Sequence, residues 1–482
     1  LAVRGLRALG FAQVDFLAPD RFRYGYGLSP EIVELALPRR PDLLITVDNG
    51  ISSLSGVAAA KAAGLRVIVT DHHLPGAQLP AADVLVNPNL ADSGFPSKAL
   101  AGVGVVFYLL LALRARLRNR GWFAQRSEPN LAEFTDLVAL GTVADVVPLD
   151  RNNRILVEQG LKRIRSGRGN AGIRALLELA GRNLAAISAG DLGFVAGPRL
   201  NAAGRLDDMT LGIHCLLEDN PERARGLAQQ LDQLNRERRS IEAEMQQQAE
   251  WVLETMFAGT SDWPQGVCLQ GEDWHQGVVG ILASRVKERL HRPVIAFAPG
   301  EDGNLKGSGR SIEGLHLRDV LDAVASQNPG LVHRFGGHAM AAGLTIGADD
   351  FGAFQQAFDA EVRRQLGDRP PEPVIHSDGP LQQVDFSLDT AWRLRQAGPW
   401  GQRFPEPLFD GRFRILQRRI VGERHLKLRL QPLAEGPELD AIAFFMAEHL
   451  QHPGDELHAV YRLDVNEFRG EHNLQLQLVH IE

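Results

Sequence analysis

Two short apolar stretches, LLITVDNG at residues 43–50 and VIVTDHH at residues 67–73, decide the fold of the N-terminal region. Each opens with a run of aliphatic and β-branched residues, which is typical of a strand buried on both faces. The alanine-rich segment 53–63, closed by Gly64, predicts a helix between them, and residues 83–86 predict a third strand. Strand, helix and strand at this spacing predict a parallel sheet with right-handed crossovers.

Polar residues follow the first two strands at the points where each one ends. Asp48 ends the first strand, and Asp71, His72 and His73 follow the second. Since ligands of parallel α/β sheets lie at the carboxyl ends of the strands, we expect these side chains to meet in one crevice. Asp-Asn-Gly is also a common turn, and a His-His pair can cap a helix. The arrangement of these aspartates and histidines on adjacent strand ends nevertheless favours a binding site for a divalent transition ion such as Mn²⁺.

A third candidate ligand is Asp145, near the end of the apolar segment 136–148, where Pro148 stops the predicted helix. A carboxylate in such apolar surroundings needs a partner, and a metal ion is a suitable one. Asp136 lies earlier in the segment, on roughly the opposite helical face, and is the weaker candidate.

The remaining pattern predicts an α/β multidomain chain. Helical patterns fill residues 100–184, and the polar segment 220–256 predicts one helix about 55 Å long, of the kind that connects domains. Residues 367–380 have the composition of a linker. A second, smaller α/β unit has predicted strands near 266–270, 293–297 and 342–346. Five short alternating segments then predict a small OB-like β-barrel, at 411–419, 424–431, 439–445, 457–464 and 473–481.

The composition is that of an ordinary globular chain, with 44% hydrophobic residues and a net charge of -7. An acidic total argues against a nucleic-acid partner, although it can hide a local basic surface. Cys215 and Cys268 match no metal or disulfide spacing, which favours a reducing cytoplasm. The most apolar stretch, 100–113, is shorter than the ~20 residues of a membrane span, and no signal peptide is recognisable.

The smaller α/β unit contains two glycine-rich elements, 303–311 and 336–343. Glycines let a backbone approach phosphate oxygens closely, and Ser308 and Arg310 add hydroxyl and charged donors. A hairpin turn and a tight packing contact are the alternative explanation.

A basic cluster in the predicted barrel supplies the local surface that the net charge hides. Basic residues beside aromatic rings are how OB-folds hold single strands. Any single phenylalanine there is better explained as barrel core, whereas the charge cluster favours nucleic acid. The basic residues are Arg403, Arg412, Arg414, Arg418, Arg419, Arg424, Lys427 and Arg429, and the aromatic residues are Phe409, Phe413 and Phe444.

Several of these segments together resemble the DHH phosphoesterase superfamily. LLITVDNG, VIVTDHHLPG and ALGTVADVVPLD are similar to its second, third and fourth motifs, in order and at suitable spacing. GPRLNAAGRLDD, WHQGVVGILASR, LKGSGRS and FGGHAMAAG extend the resemblance to the RecJ family and to essentially the whole chain. The resemblance implies a parallel-sheet DHH domain at 1–190, a connecting segment with the long helix at 191–260, a DHH-associated substrate-binding domain at 261–370 and an OB-fold at 380–482.

In that superfamily two divalent cations, Mn²⁺ or Mg²⁺, lie at the strand ends. By resemblance, Asp48 bridges both ions, and His72 and Asp145 bind one of them. His73 faces the substrate phosphate, and Asp71 orients a histidine from outside the ligand shell.

The same resemblance assigns contacts to the substrate. Ser308 and Arg310 match positions that hold a 5′-phosphate, and Arg21 matches a third contact. Three further residues resemble positions near the substrate, although a buried structural hydrogen bond would equally explain each: His338, Asn201 and Arg205.

The superfamily's first motif, an Asp-x-Asp loop after the first strand, is expected before Leu1 and is absent from the sequence. Leu1 in place of Met favours a fragment. We therefore expect the chain as written to lack ligands of both ions.

The resemblance implies a 5′→3′ exonuclease specific for single-stranded DNA, active in recombination and repair with two divalent cations. It also implies a single-strand-binding protein and a helicase as partners, and no membrane. One alternative is a phosphodiesterase of short oligonucleotides or cyclic dinucleotides, which would not need the barrel. The other is a non-catalytic scaffold that binds single-stranded DNA, which the missing motif supports and the retained Asp48, His72, His73 and Asp145 oppose.

Overall fold

The computed structural model describes residues 1–25, 27–257, 263–300, 303–367, 373–422, 424–447, 449, 454–468 and 470–482. These residues form two compact units. The first comprises residues 1–200, 209–229 and 376–482, and the second comprises residues 201–208 and 230–375. The predicted α/β multidomain architecture is confirmed. The predicted domain boundaries stay predictions.

The first unit contains a sheet of three parallel strands in the order β1 (Leu43–Val47), β2 (Arg66–Thr70) and β3 (Val84–Val86). Its register pairs Val47 with Thr70 and Thr70 with Val86, so the three strands end level with one another. A helix at Leu54–Ala62 connects the first two strands. The predicted strand–helix–strand unit is therefore confirmed, and its carboxyl edge presents the residues that follow each strand.

Helices form most of the rest of the N-terminal part. The apolar stretch predicted as a buried helix is α5, whose Val105, Val106 and Leu110 lie in the core. None of the helices among the described residues is both long enough and apolar enough to cross a membrane. In chain order the helices are α1 (Ala2–Ala8), α2 (Arg21–Tyr24), α3 (Pro30–Ala36), α4 (Leu54–Ala62), α5 (Gly102–Asn119), α6 (Thr135–Ala144), α7 (Arg151–Arg165), α8 (Ala171–Leu179), α9 (Ala189–Asp191), α10 (Gly197–Leu206), α11 (Thr210–Leu217) and α12 (Pro221–Phe257).

The long polar helix predicted at 220–256 is α12. The Asn220 side chain accepts hydrogen bonds from the N–H groups of Glu222 and Arg223, and Pro221 occupies the first helical position. Both features are favoured at helix N-termini. Its 37 residues give a length of about 55 Å.

The second unit has a five-stranded mixed sheet and its own apolar core. Helices α13 (Val279–Leu290), α14 (Leu317–Gln327) and α15 (Phe351–Leu366) belong to it, and Phe297, Phe354 and Phe358 are fully buried in its core. The strands are β4 (Val267–Gln270), β5 (Val294–Pro299), β6 (Asn304–Arg310), β7 (Arg334–Gly337) and β8 (Ala341–Gly347), in the order β4-β5-β6-β8-β7.

The structure corrects the prediction that the backbone of the first glycine-rich element, 303–311, cradles phosphate. Residues 304–310 form β6, which pairs with β5 on one side and β8 on the other, so its backbone N–H groups face neighbouring strands. A Cβ on Gly307 would lie 2.5 Å from the Phe297 ring, and one on Gly309 would lie 2.7 Å from Leu317. These glycines make room for core side chains. The second element forms a hairpin of β7 and β8, as the alternative explanation expected, and its part in binding a phosphate stays a prediction.

The C-terminal strands close into a barrel in the order β10-β11-β13-β12-β9. Helix α16 (Leu388–Ala397) precedes it, and Ala391 of this helix packs with the barrel core. The predicted five-stranded OB-like barrel is confirmed. Its strands are β9 (Phe409–Val421), β10 (His425–Pro432), β11 (Leu439–Ala443), β12 (Glu456–Phe468) and β13 (Glu471–Ile481).

Glu361 of α15 makes a testable contribution to the stability of the second unit. Its buried carboxylate accepts hydrogen bonds from Arg364 at 2.6 and 2.7 Å and from Gln365 at 2.7 Å. The bond from Arg364 outweighs the opposing effect of burial and lowers the pKa of Glu361 from 4.5 to about 2.

We expect Glu361→Gln to lower the free energy of unfolding by about 1–2 kcal/mol at neutral pH, because an amide cannot replace the charge. Since the folded-state pKa is depressed, this stabilisation is present above the unfolded value of 4.5 and is lost as pH falls through about 2. Urea unfolding at neutral and acidic pH checks this expectation. The expectation would be contradicted if the free energies of unfolding of variant and wild type differed by the same amount at both pH values.

Candidate metal centre and nucleic-acid interface

The hydrogen-bond ladder of the sheet continues directly into the candidate ligands. The Asp48 N–H donates to the Thr70 carbonyl at 3.0 Å, and the Asp71 N–H donates to the Val86 carbonyl at 3.1 Å. Asp48 has a left-handed backbone with a φ of 64°, which aspartate tolerates better than most residues. The sheet therefore fixes the positions of the carboxylates, as the strand ends predicted.

His72 is the centre of the cluster. Its Nε2 lies 3.1 Å from Asp48 Oδ1 and 3.3 Å from Asp145 Oδ2. This nitrogen is buried, and no described residue is aligned to hydrogen-bond it. A buried imidazole nitrogen between two carboxylate oxygens, without a hydrogen bond of its own, fits a divalent cation held by nitrogen and oxygen donors. Asp48, His72 and His73 each offer a donor atom within 4.8 Å of the others.

Asp71 is buried behind the cluster and holds His73. Its Oδ1 accepts hydrogen bonds from His73 Nδ1 at 2.6 Å and from the His72 N–H at 2.7 Å, and its Oδ2 accepts from the Ile51 N–H at 3.0 Å. In the neutral imidazole this contact places the proton on Nδ1 and the lone pair on Nε2. Asp71 can thus set the orientation and tautomer of His73, which is the role that the resemblance implied.

The charges of the cluster shift its protonation equilibria. Burial by itself would lower the pKa of His72, but the adjacent carboxylates of Asp48 and Asp145 outweigh burial and raise it. Burial, followed by repulsion from Asp48, raises the pKa of Asp145. Negative charge from neighbouring carboxylates contributes to both pKa shifts, and a cation would relieve that charge.

Helix α5 meets the cluster at its first residue. A Cβ on Gly102 would lie 2.3 Å from Asp48 Oδ1, so the carboxylate packs directly against the first turn of this helix. The carboxylate of Asp48 therefore lies at the positive end of the helix dipole. Gly102 was not predicted from the sequence, because its contact with Asp48 joins segments that are distant in the chain.

We expect Gly102→Ala to displace the Asp48 carboxylate and to weaken Mn²⁺ binding by about 10-fold, the lower end of the effect of altering a ligand's support. Isothermal titration with Mn²⁺ measures the change. Gly104→Ala is the matched control, because its Cβ would meet the side chain of Leu100, just before the helix, and would lie closest to the flexible Cδ2 at 2.9 Å. Equal affinities in the two variants would contradict the expectation.

Asp136 lies apart from the metal cluster. Its carboxylate is buried and accepts hydrogen bonds from the Asn170 N–H at 2.6 Å and the Leu137 N–H at 2.8 Å. Burial raises its pKa. Asp136 therefore links α6 to the start of α8 through hydrogen bonds. The sequence had already made it a weaker ligand candidate than Asp145.

In the second unit, Ser308 and Arg310 lie at the N-terminus of α13. Arg310 Nη1 is 3.2 Å from Ser308 Oγ, and a Cβ on Gly280 would lie 2.8 Å from Ser308 Oγ and 2.9 Å from Arg310 Nη2. A helix N-terminus beside a guanidinium and a hydroxyl suits an anionic oxygen group. Side chains and the helix N-terminus, rather than the glycine backbone of β6, therefore offer the donors for an anionic group here.

The remaining predicted substrate residues differ in their surroundings. Arg205 Nη1 donates to the Gly277 carbonyl at 2.9 Å, close to the start of α13. Asn201 is exposed on α10, and His338 is exposed in the turn between β7 and β8. The side chain of Arg21 lies outside the described part of the chain.

The basic cluster of the barrel is smaller than the sequence predicts, because half of its members have acidic neighbours. Arg429 lies 3.0 Å from Glu438, and Lys427 lies 3.8 Å from Asp440. Arg414 and Arg418 also have carboxylate partners. Four members have no ion-pair partner among the described residues: Arg403, Arg412, Arg419 and Arg424.

Exposed aromatic residues accompany this surface at one end of β10. Phe413 is buried in the barrel and Phe409 packs against its core, so neither can stack on a base. Phe444 and Phe445 are 43% and 68% exposed, and the His425 ring contacts both edge-on. The Phe445 N–H also donates to His425 Nδ1 at 3.0 Å. Neither His425 nor Phe445 was predicted from the sequence. The only signal was the apolar pair Phe444-Phe445 at the end of the strand predicted at 439–445.

Comparison with known proteins first defines the class. Residues 1–142 match the DHH family N-terminal domain, residues 264–364 match the DHHA1 domain, and residues 377–480 match the RecJ OB domain. A parallel sheet with aspartate and histidine at its strand ends, a DHHA1 domain and an OB domain together define a DHH-family protein of the exonuclease branch.

The particular family follows from full-length relatives. The chain is 57% identical over 485 residues to the single-stranded-DNA-specific exonuclease RecJ of Dickeya dadantii, covering 100% of the chain and 84% of that protein. It is 56% identical to RecJ of Escherichia coli, covering 99% and 83%. The crystal structure of Thermus thermophilus RecJ in complex with Mn²⁺ superposes with a TM-score of 0.78 at 31% identity, covering 100% of the chain and 66% of that structure. The chain belongs to the RecJ family.

Proposed function

We propose that this chain hydrolyses phosphodiester bonds of single-stranded DNA from the 5′ end, with divalent cations held at the strand ends of the first unit. The observation that carries the proposal is the buried Nε2 of His72, set between Asp48 and Asp145 without a hydrogen bond from any described residue. Relatives of high identity named as single-stranded-DNA-specific exonucleases support it.

The residues at the strand ends have different roles in such a metal site. Divalent cations, when bound, lower the pKa of a water molecule and stabilise the attacking and leaving oxygens of the displacement. Asp48, His72 and Asp145 supply the ligand atoms, and the sheet and α5 hold Asp48 in place. Asp71 holds His73 in an orientation from which its Nε2, when protonated, can donate a hydrogen bond to a phosphate oxygen.

The direction of digestion would come from recognition of the terminal phosphate in the second unit. Ser308, Arg310 and the N-terminus of α13 form a group of donors that a terminal phosphate dianion satisfies better than a hydroxyl. Arg205, hydrogen-bonded beside this group, helps to shape it. Arg21, Asn201 and His338 stay predicted contacts.

The barrel would hold the strand away from the site of cleavage. Arg419 and Arg424 attract the phosphate backbone, and Phe444 and Phe445 offer faces on which bases stack. This use of the barrel favours long single strands over the short substrates of the alternative phosphodiesterase.

We expect Phe445→Ala to weaken binding of a single-stranded oligonucleotide by about 10-fold, because stacking contributes about 1–3 kcal/mol per base. Fluorescence anisotropy with oligothymidylate measures the change. Leu433→Ala is the control, because Leu433 is also exposed and apolar but lies beyond the opposite end of β10. A loss of affinity that is equal in both variants would argue against stacking on Phe445.

A single assay tests the proposed function. Protein expressed from the complete coding sequence is incubated with Mn²⁺ and a 3′-labelled single strand, carrying either a 5′-phosphate or a 5′-hydroxyl, beside the matching duplex. Release of mononucleotides from the 5′ end of the single strand alone is the expected result. Binding without cleavage would support the scaffold alternative, and a preference for dinucleotides would support the small-substrate enzyme.

The protein partners and the location stay part of the proposal. A single-strand-binding protein and a repair helicase fit an enzyme that consumes unwound DNA. Cys215 and Cys268 are both buried and free of disulfides, which fits the reducing cytoplasm that the sequence favoured.

A further inference from the structure

Within the first unit, the turn 400–404, between α16 and the barrel, lies against the segment 145–150 that carries the metal-ligand candidate Asp145. The Leu149 N–H donates to the Gln402 carbonyl at 2.8 Å. Gly401 packs so closely on Leu149 that a Cβ there would lie 2.7 Å from its Cδ1. Since Leu149 is buried, the backbone of Gly401 packs directly against a core side chain.

Two aromatic residues make the turn rigid and join it to α7. The rings of Trp400 and Phe404 stack with their centroids 5.0 Å apart, and the Gly401 and Phe404 backbones exchange hydrogen bonds at 2.9 and 3.0 Å. The Arg154 guanidinium lies 3.9 Å from the centre of the Phe404 ring. A cation over an aromatic face contributes about 0.5–2 kcal/mol, depending on its exposure.

The segment 145–150 has a backbone conformation that is stable only when neighbouring residues hold it in place. Val146 has a φ of 59° although it is β-branched, and its side chain is 65% exposed. A backbone of this kind costs about 1–3 kcal/mol and persists only where its surroundings fix it. On the helix side the Asp145 N–H donates to Gly141. On the other side, the fixing contacts are Leu149 to Gln402 and Asn153 Nδ2 to the Pro148 carbonyl at 2.9 Å.

We propose that the turn 400–404 positions Asp145 for metal binding, so that the C-terminal part of the chain sets the cation affinity of the DHH site. Gly401 and Phe404 are positioning residues in this proposal, since they act through Leu149 and Arg154 on a carboxylate that they do not touch. The inference rests on the proposed metal-binding role of Asp145 and adds a structural reason for the barrel to remain attached to the catalytic sheet.

The test compares Mn²⁺ affinity among variants of protein expressed from the complete coding sequence. Phe404→Leu removes the ring and keeps an apolar side chain, and Gly401→Val forces a clash with Leu149. Both are expected to raise the Mn²⁺ dissociation constant by about 10-fold, as loss of outer support does for a metal ligand. Phe404→Tyr, which keeps the ring, should restore the affinity. Titration calorimetry well below the unfolding temperature gives the dissociation constants.

The matched control is Phe386→Leu, because Phe386 packs against the barrel core and its ring stacks on Tyr461 of the barrel, rather than on the rings of the turn. It should lower thermal stability without changing Mn²⁺ affinity. If wild-type protein binds no Mn²⁺, the proposed metal site fails. If wild-type protein and Phe404→Leu bind Mn²⁺ equally, the metal site stands and the positioning role of the turn is wrong. Should Gly401→Val not fold, the comparison of Phe404→Leu with Phe404→Tyr decides.

Discussion

Asp48→Asn is expected to remove the nuclease activity of the protein while leaving its fold intact. Asparagine has the same shape and also tolerates the left-handed backbone with a φ of 64° that Asp48 adopts. It lacks the negative charge that lies 3.1 Å from His72 Nε2. Turnover should fall by about 1,000-fold, since the several kcal/mol that metal ions contribute to the transition state correspond to about that factor.

Two measurements check the effect of Asp48→Asn. Mononucleotide release gives the loss of turnover, and titration calorimetry gives the loss of Mn²⁺ affinity, which should exceed 10-fold. Asp92→Asn removes one exposed carboxylate elsewhere in the first unit and should change neither quantity. Retention of full Mn²⁺ affinity by Asp48→Asn would remove this residue from the metal centre.

Arg310→Met is expected to abolish the preference for a 5′-phosphorylated strand over one with a 5′-hydroxyl. The guanidinium lies beside Ser308 and at the start of α13, where it can form charge-assisted hydrogen bonds with a phosphate. Such bonds contribute about 1.5–3 kcal/mol, so the ratio of kcat/KM for the two substrates should fall by about 10- to 100-fold.

The ratio of the two substrates separates recognition from general damage. Arg318→Met removes one exposed positive charge from α14 in the same unit and should leave the ratio unchanged. If Arg310→Met lowers kcat/KM equally for both substrates, the residue supports the fold or the strand as a whole, and another group must recognise the terminal phosphate.

The sequence predicted that Asp48, His72 and His73 meet, because the information that brings them together is local. Asp48 and Asp71-His72-His73 each follow a strand directly, and parallel strands bring such residues to one edge whatever the rest of the chain does. Asp145 followed from an apolar helix that a proline ends. Its meeting with His72 was implied only by the resemblance, because this contact joins segments far apart in the chain.

The contacts that were missed or wrongly predicted depend on distant segments. Gly102 meets Asp48, and Gly401 meets Leu149, through packing that no periodicity encodes. The glycines of β6 suggested a phosphate loop because composition alone cannot distinguish a loop from a strand whose glycines receive core side chains. His425 and Phe445 come together only when the barrel closes.

The left-handed backbone at position 48 has a consequence for the evolution of this family. Glycine and asparagine satisfy the backbone but carry no charge, and glutamate carries the charge on a longer side chain that favours other backbone regions. With the proposed role of Asp48 as a metal ligand, aspartate is the one of these four residues that meets both demands. A lineage that gives up catalysis is therefore expected to show the loss at this codon, with asparagine or glycine as the first replacements.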